Sequence, residues 1–477
     1  MRFQLPVAVA VAVPVAVAVA VPVAVAVAVP VAVAVAVPVA VAVAVPVAVC
    51  RPTVTRRLAN DPSRITTANV VDTLVTLSLA KRAERFPDRT AVVDISEERL
   101  YAPAETIHED RLTYAGLSTL ADWFGARLGG LGIEAGDTVC LVSRNRVTSL
   151  ALLFACRRLG ATLAPISHLL TPITVERPFD VLDPALVVAE PAQRDLVRSI
   201  PFDRSVTLPD LADAEPAERW RAHSDASGPL LALHGDDGQP IVTFSARTLE
   251  SNCIAAVLTW GLTQDTVAPI PTPLSAPDGL VRLALPVLYA GGRLLLDRAF
   301  DPGDALTAMA AENATHLSGR TSVFRDLAGD ADSAFTAALE PVRCVLPDAT
   351  VDPALLDPYR NRGIPVSRVY GVLECPMILA GSDVASGGFA GTDAGDGRDE
   401  AAEAASIGRP ILDCRVRLVG SDGAAVEGAG SGTLEVRGPV VADGRRGGET
   451  AGSQPVGRWV DTGQLFDRDE NGRYALE

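Results

Sequence analysis

In the stretch Leu233-His234-Gly235-Asp236-Asp237-Gly238-Gln239-Pro240-Ile241-Val242-Thr243-Phe244-Ser245, two glycines stand three apart and a proline follows. A glycine-framed loop between apolar runs suits a phosphate, which backbone N–H groups and a nearby cation would hold. The side chains here are of the opposite kind. Two aspartates occupy the middle of the loop, no lysine follows it, and Lys81 is the only lysine in the chain. A carboxylate about 6 Å from a phosphate charge costs roughly 3 kcal/mol at an effective dielectric near 20. On these residues alone, a solvated turn is the plainer reading than a nucleotide loop.

Other chemistries find little support. The seven cysteines are scattered without a CxxC pair or a Cys/His cluster, so neither a zinc site nor a disulfide framework is indicated. His108, His168, His223, His234 and His316 make no pair at metal or triad spacing, and only His234 adjoins a candidate site. A formal net charge of −16 argues against a nucleic-acid partner, which needs a basic face. Acidity and composition together suggest a soluble, cytoplasmic protein.

The elements that must position the loop read as α/β. Thr113 stands as an N-cap before Leu117, Leu120, Phe124 and Leu128 at helical spacing, with Gly129-Gly130 as the stop. The run 138–143 reads as a strand, residues 150–157 as a helix closed by Gly160, and 161–166 as the next strand. That alternation implies a largely parallel sheet. A second α/β stretch covers about 230–376, with strands expected at GRLLLD, CVLPD and PVSRVYG. Segments 381–405 and 442–457 read as loops, and about 406–477 as a β subdomain.

Seven stretches, in order, resemble the adenylate-forming (AMP-binding) superfamily of AMP-dependent acyl-CoA synthetases, adenylation domains and luciferases. They run from LTYAGLSTLADWFGARLGGLGIEAGDTVCLVSRN and LLFACRRLGATLAPISHLLTP through LPVLYAGGRLLL, RNRGIPVSRVYGVLE and SIGRPILDCRVRLV to GTLEVRGP and GRWVDTGQLFDRDENGRYAL. The resemblance covers about residues 70–477, with 51–69 as a linker. It implies the large N-terminal portion of such an enzyme: two α/β subdomains with five- to eight-stranded sheets, plus a distorted β-barrel.

At the opening loop the resemblance implies a hydroxyl-rich segment ending in Pro-Lys-Gly. Gly235, Gly238 and Pro240 keep the frame, while Asp236, Asp237 and Ile241 replace the hydroxyls and the lysine. With the family considered, the loop is a phosphate loop by descent, impaired by substitution. By resemblance Tyr370 would stack on adenine beside Gly371. Glu374 would hold magnesium, the one catalytic and metal role assigned. Leu373 replaces a phosphate-contacting threonine. Gln464 stands for an aspartate that accepts both ribose hydroxyls, and keeps one amide oxygen for the task. Ser275 and Ala276 occupy positions where an aromatic and a histidine would line the acyl pocket. The implied ligands are ATP or AMP with magnesium, both bound weakly, a small carboxylic acid, and CoA. The chain stops at Glu477, where the resemblance leads one to expect a hinge and a small C-terminal domain with a catalytic lysine. A carrier protein or a separate C-terminal domain is therefore an expected partner.

Two functions stay open. One is an AMP-forming acid–thiol ligase-like protein, impaired in the isolated chain. The other is a non-catalytic acyl- or nucleotide-binding partner of a ligase or carrier-protein system. Residues 6–50 repeat PVAVAVAV with a period of eight and proline at 6, 14, 22, 30, 38 and 46. A bilayer needs roughly 20 apolar residues, yet each interior proline costs a helix about 3 kcal/mol. A translated DNA repeat or misplaced start, a membrane anchor or export signal, and a structural element all remain readings of residues 1–50. Membrane contact depends on this repeat being a real segment.

Overall fold

Thr113 caps its helix as expected. Its Oγ1 accepts from Gly116 N at 3.0 Å, and Leu117, Leu120, Phe124 and Leu128 are buried along Tyr114–Gly130. Gly129 and Gly130 lie inside the last turn, and the chain reverses at Gly132, with φ at +79°. The computed structural model describes residues 78–95, 111–217, 228–329, 333–382, 406–447 and 458–477. These belong to the compact unit Leu77–Glu477. The PVAVAVAV repeat, the linker, His108, His223 and most of both Gly/Ala/Asp-rich loops lie outside the described residues. Among the described residues, no helix is long and apolar enough to cross a membrane.

Among the described residues the helix Leu79–Arg85 precedes β1 (Thr90–Asp94) and β2 (Arg111–Thr113), and the first large sheet follows. That sheet takes β3 (Thr138–Val142), β4 (Thr162–Ile166), β5 (Leu186–Ala189), β6 (Ser205–Thr207), β7 (Pro229–His234) and β8 (Ile241–Ser245). Strands β3 to β7 pair in parallel, and the β7–β8 hairpin closes antiparallel around the 235–240 loop. Every residue of β4 is buried, as a parallel strand covered on both faces requires. The helix Val147–Leu159 covers this sheet and stops at Gly160, whose φ of +75° a side chain would resist.

The second α/β region is less continuous than expected. Its strands β9 (Val267–Ile270) and β10 (Arg293–Leu296) join β1 and β2 in the order β2-β1-β10-β9. Strands β11 (His316–Gly319) and β12 (Cys344–Pro347) form a separate parallel pair. The expected five- to eight-stranded sheet is thus divided here into four strands and two. The two pieces are joined by Thr315, whose N–H donates to Val267 O at 2.8 Å and whose hydroxyl accepts from Val267 N at 3.0 Å. After this junction β9 and β11 share no ladder.

The remaining strands are β13 (Ser367–Val372), β14 (Cys375–Ser382), β15 (Ser406–Pro410), β16 (Arg415–Val419), β17 (Gly430–Arg437), β18 (Gly444–Arg446), β19 (Val460–Arg468) and β20 (Tyr474–Leu476). All but β18 form an antiparallel sheet in the order β13-β14-β15-β20-β19-β17-β16. The α/β class is as the resemblance implied. The barrel takes the form of an open sheet, because its edge strands β13 and β16 do not pair with each other. The sheet also begins upstream of Ser406, in the hairpin that carries Tyr370 and Glu374. Strand β18 leaves it to extend the first sheet, pairing with β8.

Candidate functional site

A cleft of about 560 Å³ opens where the first sheet, the second α/β region and the β13–β14 hairpin meet. The β7–β8 loop contributes His234, Gly235 and Asp236, and the β13–β14 hairpin contributes Gly371, Val372 and Leu373. The backbone is crowded at both places. A Cβ on Gly371 would lie 2.1 Å from Pro376 O. Gly238 holds φ at +93°, with room for no side chain beneath Thr174 O. Three of the expected site residues are therefore required by the turns themselves, since Gly235 is confined in the same way by Gln239 O.

The two loop aspartates diverge. Asp237 turns to the helix Glu176–Leu182, where its Oδ2 accepts from Arg177 Nη1 at 2.6 Å. Of the two, Asp236 alone is part of the cleft wall. His234 is buried and neutral in its bonding: Nε2 accepts from Ser167 N at 2.9 Å and Nδ1 donates to Gly235 O at 2.6 Å. Burial lowers its pKa, with the Gly235 carbonyl and the aspartates pulling the other way. Its work is to tie the loop to the end of β4.

Opposite the loop stand charges that sequence reasoning missed. Arg282 is buried; its Nε donates to Pro376 O at 3.1 Å and its Nη1 to Asp348 Oδ2 at 3.2 Å. Arg320 grips Asp278 with two bonds, Nε to Oδ2 at 2.7 Å and Nη2 to Oδ1 at 3.2 Å. Burial works against the charge on Arg320, but Asp278, Asp236 and Asp348 outweigh it and raise its pKa. Three aspartates thus face two arginines around the cleft. Asn145 pins the segment that carries Asp278: its Oδ1 accepts from Leu274 N at 2.7 Å and its Nδ2 donates to Thr272 O at 3.0 Å. None of these residues has a local spacing signal, because each pair joins elements distant in sequence.

The remaining expected residues do not line the cleft. Tyr370 is 7% exposed, with its ring edge-on to Phe466 at 4.8 Å between centroids. Burial raises its pKa, and its ring is not part of the cleft's lining. Gln464 is exposed on β19. Glu374 follows Leu373, but its Oε1 meets Arg445 Nη1 at 3.0 Å. Ser275 is buried beside the cleft, whose wall at that point is Pro277 and Asp278. Six of the seven cysteines are described, and all six are free and buried.

A family model described as AMP-binding enzyme matches residues 79–237 and 238–444. A feruloyl-CoA synthase of Amycolatopsis sp is 26% identical over 376 residues, covering 76% of this chain and 73% of that protein. The 2-succinylbenzoate–CoA ligase of Bacillus subtilis (strain 168) is 25% identical over 414 residues, covering 84% and 77%. Among solved structures, o-succinylbenzoate coenzyme A synthetase from Bacillus subtilis in complex with ATP and magnesium ion superposes with a TM-score of 0.70. It is 20% identical, over 83% of this chain and 78% of that one. At that identity the likeness is one of fold.

Proposed function

Because the chain belongs to the AMP-binding enzyme family, we propose that it is an acid–thiol ligase-like protein whose cleft takes an adenine nucleotide and a small carboxylic acid. In this reading the carboxylate attacks the α-phosphate, pyrophosphate leaves, and the acyl group passes from AMP to a thiol. That thiol belongs to CoA or to a carrier protein, presented with the help of a separate C-terminal domain. The observation that carries the reading is the convergence of Gly235, Asp236, Gly371 and Leu373, from two motifs far apart in the chain, on one cleft.

The cleft's character supports a small, polar acid. Its wall is charged, and the apolar pocket behind β9 and β11, lined by Phe300, Met309 and Leu327, has a cavity of only about 10 Å³. That is room for about one water. At the positions of the expected donors the nucleotide's phosphates meet apolar Ile241 and Leu373 and the anionic Asp236, while Arg282 and Arg320 are already paired with Asp348 and Asp278. Binding is therefore weak, and AMP binds about as well as ATP. Calorimetric titration of the full chain checks this; ATP with magnesium binding a hundredfold tighter than AMP contradicts it.

The pairing of Glu374 with Arg445 favours a second reading, a non-catalytic acyl- or nucleotide-binding partner of a ligase system. Pyrophosphate release over a panel of short and aromatic acids separates the two. Release above background with any acid supports the ligase, and nucleotide binding without release supports the partner.

A further inference from the structure

The parallel strands that end at the cleft have a second cavity at their other end. Arg320 and Asp348, which line the cleft, directly follow β11 and β12. A cavity of about 420 Å³ opens instead where β1, β9, β10, β11 and β12 begin. Arg89 and Arg343 stand just before β1 and β12, and Arg293 is the first residue of β10. At about 3.3 Å per residue, β12 holds Arg343 roughly 16 Å from Asp348. The junction that divides the second region is in this cavity's wall, since Val267 and Thr315 both line it. Open α/β sheets take their ligands at the C-terminal ends of strands, so a site at the opposite ends is separate from the cleft.

The wall of this cavity carries an excess of positive charge. Arg89, Arg293 and Arg343 line it together with Asp265 and Glu312, and Val267 alone of the lining residues is apolar. Both acids are already engaged. Asp265 Oδ1 accepts from Arg89 Nη2 at 2.7 Å. Glu312 is shared, its Oε2 meeting Arg293 Nη1 at 3.1 Å and accepting from Arg111 Nη1 at 3.2 Å. Four arginines thus meet two carboxylates, in a chain whose net charge is −16. Burial lowers the pKa of Arg293; Glu312 opposes this, and Arg111 and Arg89 add their repulsion. Arg343 is exposed, and its charge adds to the burial that lowers the pKa of His316.

We propose that this cavity is a binding site for a small phosphate-bearing anion of two or more negative charges, held by Arg89, Arg293 and Arg343 from the starts of three strands. A tetrahedral phosphate accepts from guanidinium groups in several directions, whereas a planar carboxylate is filled by one fork. The volume falls within the range of small-molecule sites, about 300–1,000 Å³, and exceeds what a single inorganic phosphate fills. Thr90, Gln264 and Asn313 add hydroxyl and amide groups for a second phosphate or a hydroxylated body. This site is independent of the nucleotide reading, because no residue lines both cavities.

Calorimetry on the full chain at low salt, in EDTA, with inorganic pyrophosphate, inorganic phosphate and citrate as probes, tests this. The wild-type chain should bind pyrophosphate about fivefold or more tighter than phosphate or citrate, and the affinity should fall as salt rises. Arg343→Ala should weaken pyrophosphate by about tenfold, the signature of one lost charge-assisted contact, and Arg343→Glu should abolish binding. Arg343 is exposed, so both variants should keep the wild-type urea midpoint; if one does not fold, Arg343→Gln takes its place. Asp236→Asn, which changes the charge of the cleft alone, should leave pyrophosphate affinity within about twofold. The assignment falls if the wild type does not bind pyrophosphate, or if folded Arg343 variants bind it as the wild type does. A threefold tightening in Asp236→Asn would place the anion in the cleft and overturn it as well. Citrate bound as tightly as pyrophosphate would overturn the phosphate class. None of these failures touches the nucleotide reading, which AMP and ATP titrations decide.

Discussion

Charge is handled differently at the end of β5 and around the cleft. Glu190, just after β5, is 1% exposed, and its carboxylate accepts from Arg144 N at 3.0 Å, Arg144 Nη2 at 2.9 Å and Arg146 Nη2. Arg146 is itself buried. Around the cleft, three aspartates meet two arginines, and Asp236 is the exposed acid among them. A buried charge without partners is prohibitively costly, so the scaffold supplies them in full. An exposed charge at a cleft costs little while water is present, and its effect is felt when a charged ligand replaces that water. The first cluster serves stability, the second selectivity.

The largest expected effect is at Glu190. Glu190→Ala removes the buried carboxylate that Arg144 and Arg146 share, which should cost about 3–5 kcal/mol in urea unfolding. A cost below about 1 kcal/mol would break the contrast. The same group sets a pH dependence. Burial alone would raise its pKa, but the hydrogen bonds from Arg144 and Arg146 prevail and hold it down to about 2. Because the folded pKa is depressed, the stabilisation is present above the unfolded value near 4.3 and is lost as pH falls through about 2. It amounts to about 3 kcal/mol. The stability gap between the wild type and Glu190→Gln should accordingly narrow between about pH 4.5 and pH 2.

At the loop, the contrast sharpens between two neighbouring aspartates. Asp236→Asn removes the anion that lines the cleft and should tighten ATP binding by about three- to tenfold at low salt, with the gain shrinking as salt rises. An unchanged affinity in a folded variant would mean that the loop does not face the nucleotide.

The smallest effect belongs to Asp237. Its pair with Arg177 is exposed, at 65% and 43% respectively, and such pairs contribute about 0–1 kcal/mol. Asp237→Asn should therefore move the urea midpoint little and change ATP affinity less than about twofold. A change as large as that for Asp236→Asn would erase the distinction between the two.

Much of the framework was legible from local pattern. Thr113 announced a cap, the apolar runs at 138–143 and 161–166 announced buried parallel strands, and the order of seven stretches announced the family. Gly235, Gly238 and Gly371 were legible as loop glycines because close backbone approach demands them. The side-chain directions at those loops were not. Nothing in Asp236-Asp237 tells which one turns to Arg177, since that depends on a helix some 60 positions away in sequence. Tyr370 read as a platform because its motif carries that role, yet its ring packs on Phe466 from β19. The division of the second sheet was hidden for a similar reason, because a strand's propensity says nothing about where its ladder to a neighbour stops.

The sequence by itself determined the α/β class, the family, the absent lysine and the acidic loop, because periodicity, turn residues and residue type are local properties. Tertiary structure decided the net charge of the cleft and the partner of Glu374. Arg282 with Asp348, Arg320 with Asp278, and Arg445 with Glu374 are joined across 66, 42 and 71 positions of chain. An ion pair's energy depends on separation and shelter in space, and only the folded chain brings those charges within hydrogen-bonding reach.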